Sequence, residues 1–168
     1  MQHWSFGNGE MARNSRSINE QLGCENSGHL SIVKHWIEDL GNEVDEELIE
    51  GSLEYGHVEI VQYLQSRGVA LDSNAFYHAA DSGNISLLAY LHSQGCEKSE
   101  NATVSAAENG HLPALRWLHD HGFPLTNECC NKASKRRHVK MLKYLLQNNC
   151  PYNDNDEWII KMKNELNL

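Results

Sequence analysis

The sequence contains no apolar run that approaches the roughly 18 residues needed to cross a membrane, so we expect no membrane-spanning segment. No apolar segment follows its first residues, so the start does not resemble a secretory signal peptide. The five cysteines are odd in number and irregularly spaced, which argues against a disulfide framework. Together these absences predict a cytoplasmic protein with free thiols.

Positive charge is scarce over most of the chain. Residues 1–131 contain 6 Lys and Arg against 19 Asp and Glu, whereas residues 132–168 contain 8 against 4. Nucleic-acid binding needs a basic surface, so the acidic main body argues against a nucleic acid as the partner. The sequence also lacks a P-loop, a dinucleotide-binding motif and a nucleophile–base constellation, and we therefore expect no enzymatic activity and no cofactor.

One ten-residue stretch, 109–118, recurs with substitutions through most of the chain. If Gly110 is taken as the origin, equivalent positions follow one another at steps of 28, 27, 27 and 27 residues. These positions are Gly28, Gly56, Gly83, Gly110 and Arg137. Four consecutive near-equal steps indicate a tandem repeat, and this repeat decides the fold class.

Each position of the repeat keeps its chemical character. The residue four before the origin is always small, and the residues two, five and eight after it are apolar, which traces one stripe along an α-helix. Glycine at the origin permits a tight turn between two antiparallel helices, and the small residue lets them approach closely. One such pair cannot bury its stripe alone. The pattern therefore predicts an all-α protein, an α-solenoid of five helix-turn-helix repeats.

The predicted domain boundaries follow the repeat. Residues 1–16 show no period and are expected to form a flexible tail or an irregular cap, residues 17–153 hold the five repeats, and residues 154–168 form a C-terminal capping helix. Asp154 and Glu157 have the spacing of a capping box at the start of that helix. The first repeat is predicted to contain helices at 18–25 and 30–40, and one surplus residue near position 40 is expected to lengthen the loop. The later second helices are predicted at 58–66, 85–92, 112–119 and 139–146.

Several strings resemble the ankyrin repeat. They are AAENGHL at 106–112, AADSGNI at 79–85 and, for the second half of the repeat, EYGHV at 54–58, and the resemblance extends over roughly residues 17–153. The usual ankyrin period is 33 residues, whereas here it is 27, and the Thr-Pro-Leu-His signature is absent. The chain thus looks like the shortened variants of protists and of the large DNA viruses that infect them, which would place it in a host cytoplasm or nucleus. We expect little or no strand and no β-hairpin finger.

The resemblance implies a non-enzymatic scaffold, expected to be a monomer, that binds a protein or peptide along the concave face of the first helices. In the family, exposed positions midway along the first helix and just before the turn vary with the partner. Carried over to this chain, they are Glu50, Glu54, Tyr55, Tyr77, His78, Asp81, Val104, Ser105, Glu108, Asn131, Lys132 and Lys135. Tyr55, Tyr77 and His78 are the expected anchors, because aromatic side chains concentrate binding energy. This surface changes from acidic to basic along the array, which would orient a partner.

A basic run provides the alternative function. It comprises Lys132, Lys135, Arg136, Arg137, His138, Lys140 and Lys143, and Arg137 replaces the turn glycine. Such a run is typical of a solvated face near the end of a stack. It is also the pattern expected of a contact with a nucleic acid or with a phosphorylated or acidic partner.

Histidines at the repeat turn suggest a metal site, but their spacing argues against one. They are His29, His57, His111 and His138. Residues one repeat apart lie too far from each other to share an ion with bonds of about 2.0–2.1 Å, so hydrogen bonds to the local backbone are favoured. His119 and His121 form a looser pair, but no cluster of Cys, Asp or Glu at ligand spacing accompanies them. We therefore expect no bound metal.

Two further sets of residues are better interpreted as packing than as sites. Cys129 and Cys130 align with apolar positions of the other first helices, which predicts buried thiols rather than reactive ones. An aromatic residue recurs on the apolar face of the second helices, at Tyr63, Tyr90, Trp117 and Tyr144. This row could stack bases or ligand rings. A role in the core between repeats is favoured because of the face on which it lies.

Overall fold

Helices account for all the regular secondary structure that we observe. The structure is a computed structural model, and it describes residues 29–44 and 46–167, a part of the chain in which no strand is present. The prediction of an all-α repeat protein is thereby confirmed. The predicted tail at 1–16 and the predicted helix at 18–25 lie outside the described residues.

Ten helices follow one another in the described part. We number them α1 (His29–Lys34, continued by a π-helical turn His35–Asp39), α2 (Glu46–Glu54), α3 (Val58–Ser66), α4 (Ala75–Asp81), α5 (Ile85–Ser93), α6 (Asn101–Asn109), α7 (Leu112–Asp120), α8 (Asn127–Lys135), α9 (Val139–Gln147) and α10 (Glu157–Leu166). Helices α2 to α9 form four hairpins, each consisting of a first and a second helix. The second helices begin at the predicted residues and end within one residue of the predicted ends.

The surplus residue of the first repeat lies in a helix, not in the loop where the sequence placed it. The segment His35–Asp39 is a π-helical turn, closed by a hydrogen bond of 3.2 Å from the Leu40 amide to the His35 carbonyl. A π-helical turn holds one residue more than an α-helical turn. Because the extra residue is absorbed there, Trp36 keeps its place in the repeat and is only 5% exposed.

The core runs continuously through the stack. The small residues before the turn are fully buried, and so are the apolar residues five and eight after the origin in the four hairpins. These are Ser52, Ala79, Ala106 and Ala133, then Val61, Leu88, Leu115 and Leu142, then Leu64, Leu91, Leu118 and Leu145. The residue two after the origin begins the second helix at the rim of the core: Val58 and Leu112 pack half-buried against it, whereas the other two depart from the prediction. Ile85 and Val139 at this position are 39% and 38% exposed.

Small side chains bring the first helices close together. Gly51, Ala80, Ala107 and Ser134 are buried on α2, α4, α6 and α8, beside the small residues already named. Neighbouring first helices accordingly pack against one another more extensively than neighbouring second helices do. This closer packing is what a concave face lined by the first helices would require, and that placement stays a prediction.

The capping helix begins after a different aspartate from the one in the predicted capping box. The Asp156 carboxylate accepts the backbone N–H groups of Trp158 at 2.9 Å and of Ile159 at 3.2 Å, so Asp156 is the N-cap of α10. Asp154 lies exposed in the preceding turn. Ile159 and Met162 form the buried face of α10, whereas Ile160, which the sequence placed on that face, is 41% exposed.

The turn glycine leaves room for the next repeat. Gly83 has φ +67°, and a Cβ added to it would lie 2.6 Å from Nδ1 of His111 in the following hairpin. A Cβ added to Gly110 would likewise lie 2.9 Å from the His138 ring. Arg137 also has a positive φ, 60°, but it is followed by α10 and not by another hairpin. Glycine at the turn is thus required by the next side chain as well as by the backbone.

We expect Gly83→Ala to lower the free energy of unfolding by about 2–4 kcal/mol, because it adds a clash with His111 to the strain of a positive φ. Gly95→Ala is the matched control: Gly95 has φ +71° and no atom within 4 Å of the added Cβ, so only the strain of about 1 kcal/mol should appear. Urea unfolding monitored by circular dichroism measures both variants. His111→Ala should remove the excess cost in the Gly83→Ala background, and equal costs at the two glycines would contradict the packing argument.

Candidate functional site

Eleven of the twelve predicted partner-binding residues lie on α2, α4, α6 and α8, and Tyr55 lies in the turn that follows α2. One row of them lies six residues before the origin in each hairpin, and we call it the inner stripe: Glu50, Tyr77, Val104 and Asn131. Glu50 and Tyr77 are exposed, and the other two are half-buried. Within the described residues no side-chain hydrogen bond joins the stripe to a neighbouring repeat, since Asn131 donates to Glu128 of its own helix at 3.0 Å. The stripe is therefore available to a partner.

A second row of predicted residues binds the repeats to one another. Glu54 of α2 lies 3.1 Å from Nδ1 of His78 of α4. Asp81 of α4 accepts hydrogen bonds from the Ser105 hydroxyl at 2.9 Å and from the Asn109 amide at 2.6 Å. In both cases an acid two residues before the origin accepts from the next hairpin. We call this row of contacts the junction ladder.

The junction ladder ends with the most strongly charged contact. Glu108 of α6 lies 2.7 Å from Nζ of Lys132 and 3.1 Å from the guanidinium of Arg136. Hydrogen bonds from Lys132 and then from Arg136 lower the pKa of Glu108, and the bond to Glu108 raises the pKa of Lys132. At this junction the acid and the two bases that were expected to contribute to a gradient along the face thus neutralise one another.

Two predicted site residues have different positions from those expected. Ser105 is only 3% exposed, so the prediction that it lies on the surface is wrong: a hydroxyl is small enough to pack between α4 and α6 while bonding Asp81. The His78 side chain is 14% exposed and is held by Glu54, which makes it a support and not a free anchor. Tyr55 and Tyr77 remain exposed, at 49% and 40%.

The predicted basic cluster is not one continuous surface. Lys132 and Arg136 lie on Glu108, and His138 Nε2 lies 2.9 Å from the Glu108 carbonyl. The Arg137 guanidinium is 4.5 Å from the centre of the Trp158 ring. The members with neither a salt bridge nor one of these other contacts inside the described residues are Lys135 and Lys140, which are exposed, and Lys143, which is half-buried.

The aromatic row of the second helices bonds each repeat to the preceding one. The Tyr63 hydroxyl donates to Glu38 at 2.9 Å, and the Tyr144 hydroxyl lies 2.9 Å from His119 Nδ1. The Tyr90 hydroxyl donates to Gln65 in the same manner. These rings are half-buried, not fully in the core. Their hydroxyls provide a polar contact between repeats that the apolar interpretation did not include.

The histidines also have structural partners. His138 bonds the backbone of the preceding repeat and not its own, and the His111 ring covers Gly83, so the expectation of local backbone bonds is wrong for both. His119 contacts Tyr144, and His121 contacts the Trp117 carbonyl at 2.7 Å. No group of three or more His, Cys, Asp or Glu side chains that could hold a metal ion occurs in the part of the chain that the structure describes.

The cysteines of the last hairpin are buried, as predicted. Cys129 and Cys130 are fully buried, and Cys150 is 3% exposed. The Cys150 thiol donates to the Thr126 carbonyl at 3.1 Å. Burial raises the pKa of Cys129, while a hydrogen bond with Cys130, followed by burial, raises that of Cys150. The Cys129 and Cys150 thiols therefore stay protonated and poorly nucleophilic.

Sequence reasoning missed several contacts that shape this site. Asn109 and Arg136 are ladder donors, although neither was singled out as a contact between repeats. The missing signal was a spacing of 24 residues, which joins Glu54 to His78, Asp81 to Ser105 and Glu108 to Lys132. This spacing differs from the repeat period by three residues, so an alignment of the repeats does not display it.

Stacked helical hairpins with small residues at their junctions define the class, an α-solenoid repeat protein. Residues 76–156 match the model of a known family, ankyrin repeats (3 copies). This part of the chain therefore consists of ankyrin repeats, which generally mediate protein–protein interaction. No curated protein matches it. The kinship with protist and viral variants stays a prediction.

The described residues contain no helix that is both long and apolar enough to cross a membrane.

We expect Glu108→Gln to destabilise the protein at neutral pH by about 0.5–1 kcal/mol, a modest value because the pair is partly exposed. The folded-state pKa of Glu108 is lowered, so its contribution is present above the unfolded pKa of about 4.3 and is lost as the pH falls through the folded pKa. The difference between the wild type and the variant should thus shrink below about pH 4. Unfolding curves across this range test it. Glu59→Gln, at an exposed carboxylate without a salt bridge, is the control, and a pH-independent difference would contradict the assignment.

We expect Cys129, Cys130 and Cys150 to react with an aromatic disulfide reagent only after denaturant is added, whereas the half-buried Cys96 reacts in the native state. Mass spectrometry of the labelled peptides distinguishes the four sites. Labelling of Cys129 at the rate of Cys96 in native buffer would show that the last hairpin opens.

Proposed function

We propose that this protein binds an extended segment of another protein along the inner stripe, with Tyr77 of the stripe and Tyr55 of the turn after α2 as the anchors. The observation that carries the proposal is the exposure of two tyrosine side chains, at 49% and 40%, on the first-helix side. Tyrosine combines a large apolar ring with one polar group, and it is enriched among the residues that dominate interfaces. Exposed rings of this kind lower the free energy when a partner covers them.

The environment of Tyr77 favours binding because it is already ordered. The His78 ring packs edge-on against Tyr77 with the centroids 5.3 Å apart, and Glu54 holds His78 in place at 3.1 Å. A side chain fixed before binding loses less conformational entropy when the partner arrives. The junction ladder therefore supports the anchor indirectly, even though its own polar groups are already satisfied.

The spacing of the stripe favours an extended partner. Packed helices lie about 8–10 Å apart, and an extended chain advances about 3.3–3.6 Å per residue, so roughly every third partner residue would meet one stripe position. In order, these positions are acidic, aromatic, aliphatic and amide, and Lys135 follows at the end. A partner with a basic residue toward α2 and apolar residues toward α4 and α6 would match this order.

The alternative role of the basic cluster receives less support. Recognition of a nucleic acid would need several unpaired cations on one surface, and Lys132 and Arg136 are both engaged by Glu108. The division of the cluster leaves no continuous basic face. We therefore do not propose a nucleic acid as the partner.

We expect Tyr55→Ala combined with Tyr77→Ala to weaken binding to the protein partner at least about tenfold, because both anchors lose their rings. A photo-crosslinking amino acid at position 77 would capture the partner, and titration calorimetry would then measure its affinity for each variant. Ile85→Ala combined with Val139→Ala is the matched control, since these side chains are about as exposed as Tyr77 but begin second helices.

Adding His78→Ala should weaken binding a little further through the loss of support for Tyr77. Circular dichroism should show that each variant keeps its helices. Unchanged affinity in the tyrosine variant, with a loss in the Ile85 and Val139 variant, would place the partner on the opposite side and refute the proposed face.

A further inference from the structure

An open groove of about 700 Å³ lies at the C-terminal end of the repeat array. It is formed by the end of α8, the Arg137 turn and the start of α10, and we call it the end groove. Lys135, Arg137, Trp158 and Lys161 line it, together with Asp156 and Glu157. The inner stripe contributes no residue to this groove.

The end groove holds more unpaired hydrogen-bond donors than acceptors. Lys135, Arg137 and Lys161 form no salt bridge with any described residue, although Arg137 and Lys161 lie 4.5 and 5.4 Å from the centre of the Trp158 ring. Asp156 already caps α10, which leaves Glu157 as the free carboxylate. Three cations face this single acid.

Trp158, which lines the groove, also contains an unsatisfied donor. The indole Nε1 of Trp158 is buried and has no hydrogen-bond acceptor among the described residues. A buried polar group without a partner costs free energy, typically about 1–3 kcal/mol. Such a group is uncommon in a native structure and calls for an explanation, and an acceptor supplied by a ligand is one.

The junction ladder indicates the chemistry of the missing acceptor. In α2, α4 and α6 the residue two before the origin is an acid, and the next hairpin supplies its donors. In α8 the equivalent residue is Lys135, and the element that follows its hairpin in the described residues is the single helix α10. The polarity of this position is reversed at the end of the array, so an anionic group is the complement to Lys135.

Arg137 contributes a second departure at the same place. It is a non-glycine residue with φ 60°, a conformation that costs roughly 1–2 kcal/mol for a side chain with a Cβ. The guanidinium that this conformation places over Trp158 also faces the groove. Backbone strain of this kind is concentrated at ligand sites.

We propose that the end groove binds an acidic segment of a protein. Its carboxylates pair with Lys135, Arg137 and Lys161, and one apolar side chain rests against Trp158 and the exposed Ile160. Ile160 and Lys161 border a shallow adjoining depression, which gives the segment room to continue along α10. The end groove is separate from the inner stripe. Binding of an acidic segment there does not depend on whether the stripe binds a partner.

The test uses the full chain and a short capped peptide of glutamates with a single leucine. We expect the indole N–H resonance of Trp158, assigned with Trp158→Phe, to shift saturably with this peptide and not with its glutamine analogue. Lys135→Glu combined with Lys161→Glu should weaken binding about tenfold or more, because two charge-assisted contacts become repulsive.

The matched control reverses the same number of charges outside the groove. Lys140→Glu combined with Lys143→Glu has an equal effect on the net charge and should change the affinity far less. Arg137→Gly restores the glycine of the other turns, so it should fold normally and still bind the peptide more weakly. Tyr55→Ala combined with Tyr77→Ala should leave the Trp158 shift unchanged, which separates this site from the inner stripe.

Four results would overturn the proposal. They are the absence of any Trp158 shift, equal losses from the two charge-reversal pairs, the same shift with inorganic phosphate alone, and tighter binding of a single-stranded RNA than of the peptide. The second would show general attraction to a basic end. The third would show a small-anion site only, and the fourth would identify a different class of partner.

Discussion

In three of the four described hairpins, a side chain from the next hairpin fills the space over the turn glycine, and the register of the stack depends on this contact. The His111 ring lies where a Cβ of Gly83 would be, and His138 has the same relation to Gly110. Because such a close contact permits little displacement of either hairpin, it fixes both the distance and the register between consecutive hairpins. Once the register is fixed, the small residues of neighbouring first helices meet, and every acid of the junction ladder faces its donors.

This register divides the first helices into rows with different tasks. The row two before the origin is used for cohesion, since Glu54, Asp81 and Glu108 each accept from the following hairpin. The row six before the origin has no bond across a junction within the described residues. A partner that binds there need not break any contact that holds the stack together. A substitution in one row can therefore change the stability of the stack without changing partner binding, and a substitution in the other row can do the reverse.

The sequence predicts the ends of the second helices to within a residue because the same apolar spacing recurs in every repeat. An ambiguous boundary in one repeat is resolved by the equivalent positions of the others. Pairing across a junction is harder to predict. Glu54 and His78 occupy different positions in their repeats, so neither stands out until the stack is built. Asp154 and Asp156 both have side chains that can cap a helix. The packing of Ile159 and Met162 fixes where α10 begins, and so it decides which of the two is the N-cap. The π-helical turn at His35–Asp39 is ambiguous for a similar reason, since a loop would also accommodate one extra residue.

Part of the basic charge of the chain lies where α10 meets the last of the four hairpins. Lys135 and Arg137 occupy the two positions that a following hairpin engages elsewhere, one as a ladder acceptor and one as the turn glycine. Here the single helix α10 packs against α8 and α9 instead, and it places Trp158 under the Arg137 guanidinium. Both cations thus line the end groove and not a junction between hairpins. At each internal junction an acid of one hairpin pairs with donors of the next. An acidic ligand in the end groove would supply the corresponding acid for Lys135 and Arg137.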